Sequence, residues 1–325
     1  MDPDATESTV FPNTTLGIRR DDGTDDDELD LTSLVFTALT ILIGIPGNLV
    51  VIWVAGIKLK ATVLNVWLVN LAVADLILCF SRILSLVKDL FLNEWLFGLF
   101  ICRFNGFFKY TNMFCSVFML AIISGDRAVC VWFPVFTRNH RTVCLARVVA
   151  ACTWLMAAAL SLPFYFCRIL YKDNNLIQCR QKNKKALYLI RFLCGFLLPF
   201  LVILGCYILA AVGIRRIHLA GKLRALCLMV LLVLVFFVCW APYHGLLLLE
   251  MVDSSNSVHH TWLPATITMS HIKSCINPLL YFLVGFKNQG RSKKSVTGLC
   301  KSALIDGVER QTPQSIDSGE NVSHL

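Results

Sequence analysis

The chain has 325 residues, of which 56% are hydrophobic and only 16% charged, where a soluble domain has about 45–50% and about 25%. That balance excludes an ordinary soluble domain and points to a protein that crosses a membrane several times. The net charge of +9 hides an asymmetry, because residues 1–30 carry ten acids and two arginines, leaving +17 on the rest.

Residues 1–31 are polar and turn-rich, and the run DDGTDDDELD repels itself, which predicts a disordered acidic tail. The run reads equally as a solvated tail or as an electrostatic lure for a basic polypeptide. No basic region followed by a short apolar core stands at the N-terminus. The first span is therefore expected to act as its own insertion signal. Asn13-Thr14-Thr15 is a glycosylation acceptor if the tail is outside.

Apolar runs follow at roughly 32–57, 62–87, 102–134, 145–166, 187–214, 225–249 and 262–285, each long enough to cross the hydrocarbon. These predict an all-α bundle of seven spans over 32–285, with the termini on opposite sides. Lys58 and Lys60, then Arg138, Arg141 and Arg147, then Arg215, Arg216, Lys222 and Arg224 follow the first, third and fifth spans. The positive-inside bias makes those connections cytoplasmic and the N-terminus extracellular. The loop after the fourth span is also basic, so the bias is not uniform.

The first span holds Gly47-Asn48 and the second Asn70-Leu-Ala-Val-Ala-Asp75. An ionised Asp75 at mid-membrane costs about 2.5–3.5 kcal/mol and needs a partner. Arg82, two turns further along, either snorkels or faces a cavity. The third run opens with Cys102 and closes on Asp126-Arg127, with Lys109, Asn112 and Ser116 between. Polar groups at that depth face protein or water, so this helix is expected to be central. Of 14 cysteines most lie inside spans, whereas Cys179 sits in the polar loop RILYKDNNLIQCRQKNKK. A Cys102–Cys179 bridge would pin that loop over the third helix, with Cys167 as the rival partner. No CxxC or HxxxH spacing supports a metal site.

Trp154 and Pro163 lie in the fourth span, Pro199 and Tyr207 in the fifth, Cys239-Trp240-Ala241-Pro242-Tyr243-His244 in the sixth and Asn277-Pro278-Leu-Leu-Tyr281 in the seventh. Prolines inside spans break the backbone ladder and let helices bend. Together with the GN, LAVAD and DR elements, these motifs resemble class A G-protein-coupled receptors over about residues 32–300. NMFCSVFMLAIISGDR, VWFPVFTRNHRTVCLA, RFLCGFLLP and EWLFG are similar to the chemoattractant subgroup, the chemerin, formyl-peptide and complement-anaphylatoxin receptors, the chemerin type first among them.

That resemblance implies a plasma-membrane receptor for a peptide chemoattractant, with heterotrimeric G protein of the inhibitory type and arrestin as partners. It implies no cofactor, no nucleic acid and no enzymatic activity. It assigns Asp126 and Arg127 to an intracellular lock, with Arg127 moving toward Tyr207 on activation. Trp240, Pro242, Asn277, Pro278 and Tyr281 would relay pocket occupancy. Arg168 and Arg191 fall where relatives grip a terminal carboxylate, and the physics agrees, since charge-assisted pairs are strong where water is scarce. Lys109, Arg82, Tyr243, His244 and Trp240 complete the expected ligand contacts. Arg168 reads equally as a structural residue.

Three positions depart from the family pattern. Ala128 follows Asp126-Arg127 where tyrosine is common, Ile83 replaces a proline, and Lys273 stands where a small polar residue lines a sodium pocket around Asp75. Lys273 is expected to pair with Asp75 and replace the ion, the alternative being a lysine that points elsewhere or is neutral. A retinal Schiff base is discounted because the opsin lysine resembles the position of His271, about 200° of helix rotation away. A transporter would show internal repeats, and none is visible. The competing readings are a scavenger receptor with weak G-protein coupling, motivated by Ala128 and Lys273, and a receptor for a lipid carboxylic acid.

Residues 286–300 fit a short amphipathic eighth helix against anionic membrane lipids, with Cys300 a palmitoylation candidate. The cytoplasmic tail 301–325 carries Thr312, Ser315 and Ser318 as phosphorylation candidates, and Ser323-His324-Leu325 resembles a PDZ-binding terminus.

Overall fold

The computed structural model describes residues 23–92, 94–173, 176–182, 184–217, 223–253 and 257–286. Asn13, Cys300, Thr312, Ser315, Ser318 and the segment 287–300 lie outside them. The described chain is a bundle of seven long helices. In order these are α1 (Gly23–Val51), α2 (Val63–Val87), α3 (Gly98–Trp132), α5 (Val143–Phe166), the pair α6 (Lys184–Phe192) and α7 (Leu198–Ile217), α8 (Leu223–Val252) and α9 (Ser257–Phe286). A short helix, α4 (Pro134–His140), joins α3 to α5. Six of the seven are long and apolar enough to cross a membrane. The seventh, α9, has 30 residues but also Lys273, His271 and two prolines.

Two connections differ from the sequence expectation. The first helix begins at Gly23, inside the stretch expected to be disordered, because a helix anchored by an apolar run propagates cheaply. The polar loop after the fourth span is an antiparallel hairpin of β1 (Arg168–Asp173) and β2 (Leu176–Gln181), with Leu170 opposite Cys179. It is the one departure from an all-helical chain among the described residues. Cys102 bonds Cys179, and Cys167 is a free thiol. Trp95 N–H donates to Ile177 O at 2.7 Å, and Glu94 accepts from Ile177 N–H at 3.0 Å, so the hairpin is tied to the turn before α3 as well.

The ends of the helices follow from local chemistry. Thr62 and Thr142 cap α2 and α5 by accepting the Asn65 and Leu145 N–H groups, both at 3.2 Å. Pro199 has no N–H and its ring would collide with the Gly195 carbonyl. A π-helical turn, Leu193–Leu197, precedes it, widening the helix and resetting the direction in which α6 side chains face.

Helix α3 packs against α2, α5, α7 and α8, and α1 packs between α2 and α9. Met113, Phe114, Cys115, Val117, Met119 and Leu120 make α3 the axis of the core. Leu198, Leu201, Val202, Leu204 and Ile208 of α7 face outward, as a lipid-facing helix requires. Gly47 is explained by close approach, since a Cβ there would lie 2.9 Å from Pro278 Cβ. Beside it Asn48 Nδ2 donates to the Gly44 and Ser274 carbonyls, both at 2.9 Å, joining α1 to α9.

Candidate functional site

Three polar layers interrupt the apolar core along α3. The middle one centres on Asp75, which is fully buried. Its Oδ1 accepts from Lys273 Nζ and Ser274 Oγ, each at 2.8 Å, and from Asn112 Nδ2 at 3.4 Å, while Oδ2 accepts from Asn277 Nδ2 at 2.7 Å. Lys273 Nζ also donates to Ser116 Oγ at 2.8 Å and lies 5.9 Å from the Phe236 ring. The lysine ammonium thus ties the second, third and seventh spans together. Both charges are satisfied there, the condition under which a buried pair is tolerated.

The upper layer, toward the hairpin, is cationic. Arg191 on α6 is 1% exposed, and one of its terminal nitrogens donates to Tyr110 at 2.8 Å and Tyr243 at 2.6 Å. The rings of Tyr110, Tyr188 and Tyr243 lie within 4.8 to 5.3 Å of its guanidinium carbon. Such an aromatic cage stabilises a cation through the ring quadrupoles without neutralising it. Nε and the other terminal nitrogen have no hydrogen-bond partner. Tyr110 passes the chain on to Gln181 at 3.3 Å, and Gln181 stands opposite Arg168 in the hairpin register. Arg168 reaches the Cys179 carbonyl at 3.5 Å, and its stem lies against Gly106, where a Cβ would meet its Nε at 2.9 Å.

Lys109 sits 5.7 Å from the Tyr243 ring. Arg82 is turned toward α1 and its own helix, donating to Thr37 at 3.1 Å and Ser85 at 3.2 Å. His244 packs among Phe192, Phe196, Trp240 and Tyr243. Trp240 is buried and stacks on Phe236. Of the described acids near this end, Asp89 pairs with Lys88, Glu94 accepts from the Ile177 N–H and Glu250 lies against Tyr188.

The lower layer holds Asp126 and Arg127, which pair directly. Sequence reasoning gave Arg141 only to the basic face, yet it grips the same carboxylate with Nε at 2.7 Å and a terminal nitrogen at 3.0 Å. Burial works against the Arg141 charge, but the Asp126 carboxylate outweighs it and raises the Arg141 pKa above the ordinary arginine value. The Tyr207 hydroxyl has no hydrogen-bond partner. A cavity of about 270 Å³ lies beside this pair, lined by Trp67, Ile122, Val129, Phe136, Leu145 and Val149 among others.

Tyr110, Tyr188, Ser274 and the Arg141 contact were missed by sequence reasoning, which placed Ser116 facing protein or water but gave it no partner. Tyr110 directly follows Lys109, and Ser274 directly follows Lys273, so adjacency to an intramembrane cation was the available signal. Among the described residues no group of three or more His, Cys, Asp or Glu could hold a metal ion.

The model of the 7 transmembrane receptor (rhodopsin family) matches residues 47–281. A C3a anaphylatoxin chemotactic receptor of Danio rerio is 38% identical over 271 residues, covering 81% of this chain and 75% of the relative. A chemerin-like receptor 2 of Homo sapiens is 34% identical over 287 residues, covering 84% and 81%. A formyl peptide receptor 2 of Mus musculus is 34% identical over 322 residues, covering 91% and 92%.

Proposed function

Because the chain belongs to the rhodopsin family of seven-transmembrane receptors, a family of multi-pass plasma-membrane receptors and not of enzymes, we propose that it responds to a peptide chemoattractant by capturing the peptide's anionic terminus. The observation that carries this is Arg191, buried, caged by three tyrosines, with two guanidinium nitrogens unpartnered. A terminal carboxylate would take both in a bidentate pair, the strongest charge-assisted geometry available to arginine. The names of the relatives, a C3a anaphylatoxin chemotactic receptor, a chemerin-like receptor and a formyl peptide receptor, support the ligand class.

Binding at Arg191 bears directly on the sixth span, since Tyr243 shares the guanidinium and stacks edge-on against Trp240. A ligand shifts a two-state bundle only by its differential affinity, and moving from 1:99 to 99:1 takes about 5.5 kcal/mol. The readout is movement of Arg127 from Asp126 toward Tyr207, with coupling to an inhibitory-type G protein and arrestin. Lys273 stands in for a bound cation at Asp75, so this receptor carries its own counter-ion. The acidic N-terminal tail attracts the basic body of the ligand.

A second reading, a scavenger receptor with weak G-protein coupling, draws support from Arg141, which holds Asp126 in addition to Arg127. The deciding experiment is cAMP inhibition and arrestin recruitment in cells expressing the chain, challenged with C-terminal peptides of C3a and chemerin as free acids and amides. Response in both channels, lost on amidation and in Arg191→Ala, is expected. Arrestin recruitment without cAMP change would favour the scavenger, and equal potency of acid and amide would overturn carboxylate capture.

A further inference from the structure

The positive charge of the upper layer exceeds what one carboxylate can neutralise. Arg82 lies seven residues beyond Asp75 on α2, and Lys109 lies seven residues before Ser116 on α3, so each stands two helical turns above the Asp75 cluster. Asp75 cannot serve either of them, because Lys273, Ser274, Asn277 and Asn112 already take both of its oxygens. His271 stands about one turn above Ser274 on α9. It is 2% exposed and neither ring nitrogen has a partner.

His271 and Lys273 are two residues apart and therefore face about 200° away from each other. Lys273 joins Asp75 to Ser116, so the helix faces that carry those two residues meet there, and seven residues, close to two whole turns, puts Arg82 on the same face as Asp75 and Lys109 on the same face as Ser116. Arg82 contacts only the neutral hydroxyls of Thr37 and Ser85, and its Nε is buried with no partner. Among the described residues no carboxylate forms an ion pair with Arg82 or Lys109, and Asp89, the one acid whose charge reaches Arg82, is itself paired with Lys88. Three nitrogen bases thus stand above the Asp75 cluster on the second, third and seventh spans, with Lys109, 5.7 Å from the Tyr243 ring, on the side toward Arg191. Buried polar groups without partners are rare in folded proteins and mark a missing ligand or ion, and intramembrane cations need an anion.

We infer that Arg82, Lys109 and His271 form a second anion subsite, and that the ligand therefore carries two negative groups, its terminal carboxylate on Arg191 and an acidic side chain a few residues upstream on this cluster. The inference rests on the carboxylate reading of Arg191 and adds to it the charge pattern of the ligand. A diacid peptide bridges the fifth span to the second and seventh, where a monoacid engages only one side.

The test uses the full-length receptor in lipid nanodiscs and acetylated hexapeptides ending in Phe-Leu. A single Glu, or Gln as control, is placed in turn at each of the four upstream positions, and each peptide is made as free acid and as amide. Dissociation constants are read by thermal stabilisation. At one or two positions Glu is expected to bind roughly tenfold or more tighter than Gln, as a charge-assisted pair in a water-poor site would give.

Arg82→Gln and His271→Gln should each collapse the Glu/Gln ratio while leaving the acid/amide ratio intact. Arg191→Gln should do the reverse, and Arg82→Lys, which keeps the charge, should retain the Glu preference. A Glu/Gln ratio near one at every position, or one that survives Arg82→Gln, overturns the second subsite while acid/amide discrimination persists. Loss of both discriminations in the wild type overturns the Arg191 reading as well.

Discussion

Replacing Lys273 with methionine isolates the energetics of the middle layer. The ammonium is 2.8 Å from both Asp75 and Ser116, and lysine and aspartate are 1% and 0% exposed. The bonds from Ser274, Asn277 and Asn112 to Asp75 exist before and after the change, so they do not offset it. Removing one member of such a pair costs about 3–5 kcal/mol, because the other charge stays buried and unpaired. Pairing Lys273→Met with Asp75→Asn removes both charges and keeps an acceptor for Ser274. It is expected to recover most of the loss, a coupling of at least about 2 kcal/mol in a double-mutant cycle.

The assay is the unfolding midpoint of the purified receptor in nanodiscs, repeated over a sodium series. Lys273→Met should be rescued by sodium, which can occupy the Asp75, Ser116 and Ser274 oxygens, while the wild type should not respond. Additive single and double losses, or sodium-dependent stability or agonist affinity in the wild type, would refute the reasoning.

Arg141→Gln removes a bidentate, partly buried grip on Asp126, worth about 1.5–3 kcal/mol; basal cAMP inhibition should rise in this variant, and an unchanged basal signal would show that Arg127 alone sets the lock. Gly106→Val places branched carbon where the Arg168 stem lies, so the expected outcome is a weaker free-acid peptide with the amide less affected, read by competition binding. Cys102→Ser opens a loop of 77 residues, for which the loop-entropy relation gives about 4.5 kcal/mol, measurable as lost surface expression and a lowered unfolding midpoint. Gly47→Leu sets a side chain against Pro278 and should reduce folded yield in detergent extracts through overpacking of about 1–3 kcal/mol.

Span number and span type could be read from the sequence because both are local properties. The length of an apolar run against the bilayer thickness decides whether it crosses, and a polar residue at membrane depth must face inward. So the seven helices, the central position of the third, and the candidacy of Asp75, Lys109, Arg191 and Lys273 needed no tertiary information. The tertiary structure alone decided which groups meet. Helix rotation, reset by the π-helical turn before Pro199, delivers Arg191 to Tyr110 and Tyr243 and not to Arg168. The turn after α4 carries Arg141 onto Asp126, 15 residues away in the chain. Arg82, grouped by sequence with Arg191, instead turns toward α1 and its own helix. Each of these depends on the tilt and phase of one helix against another, set by packing across the whole bundle, which no local window of sequence contains.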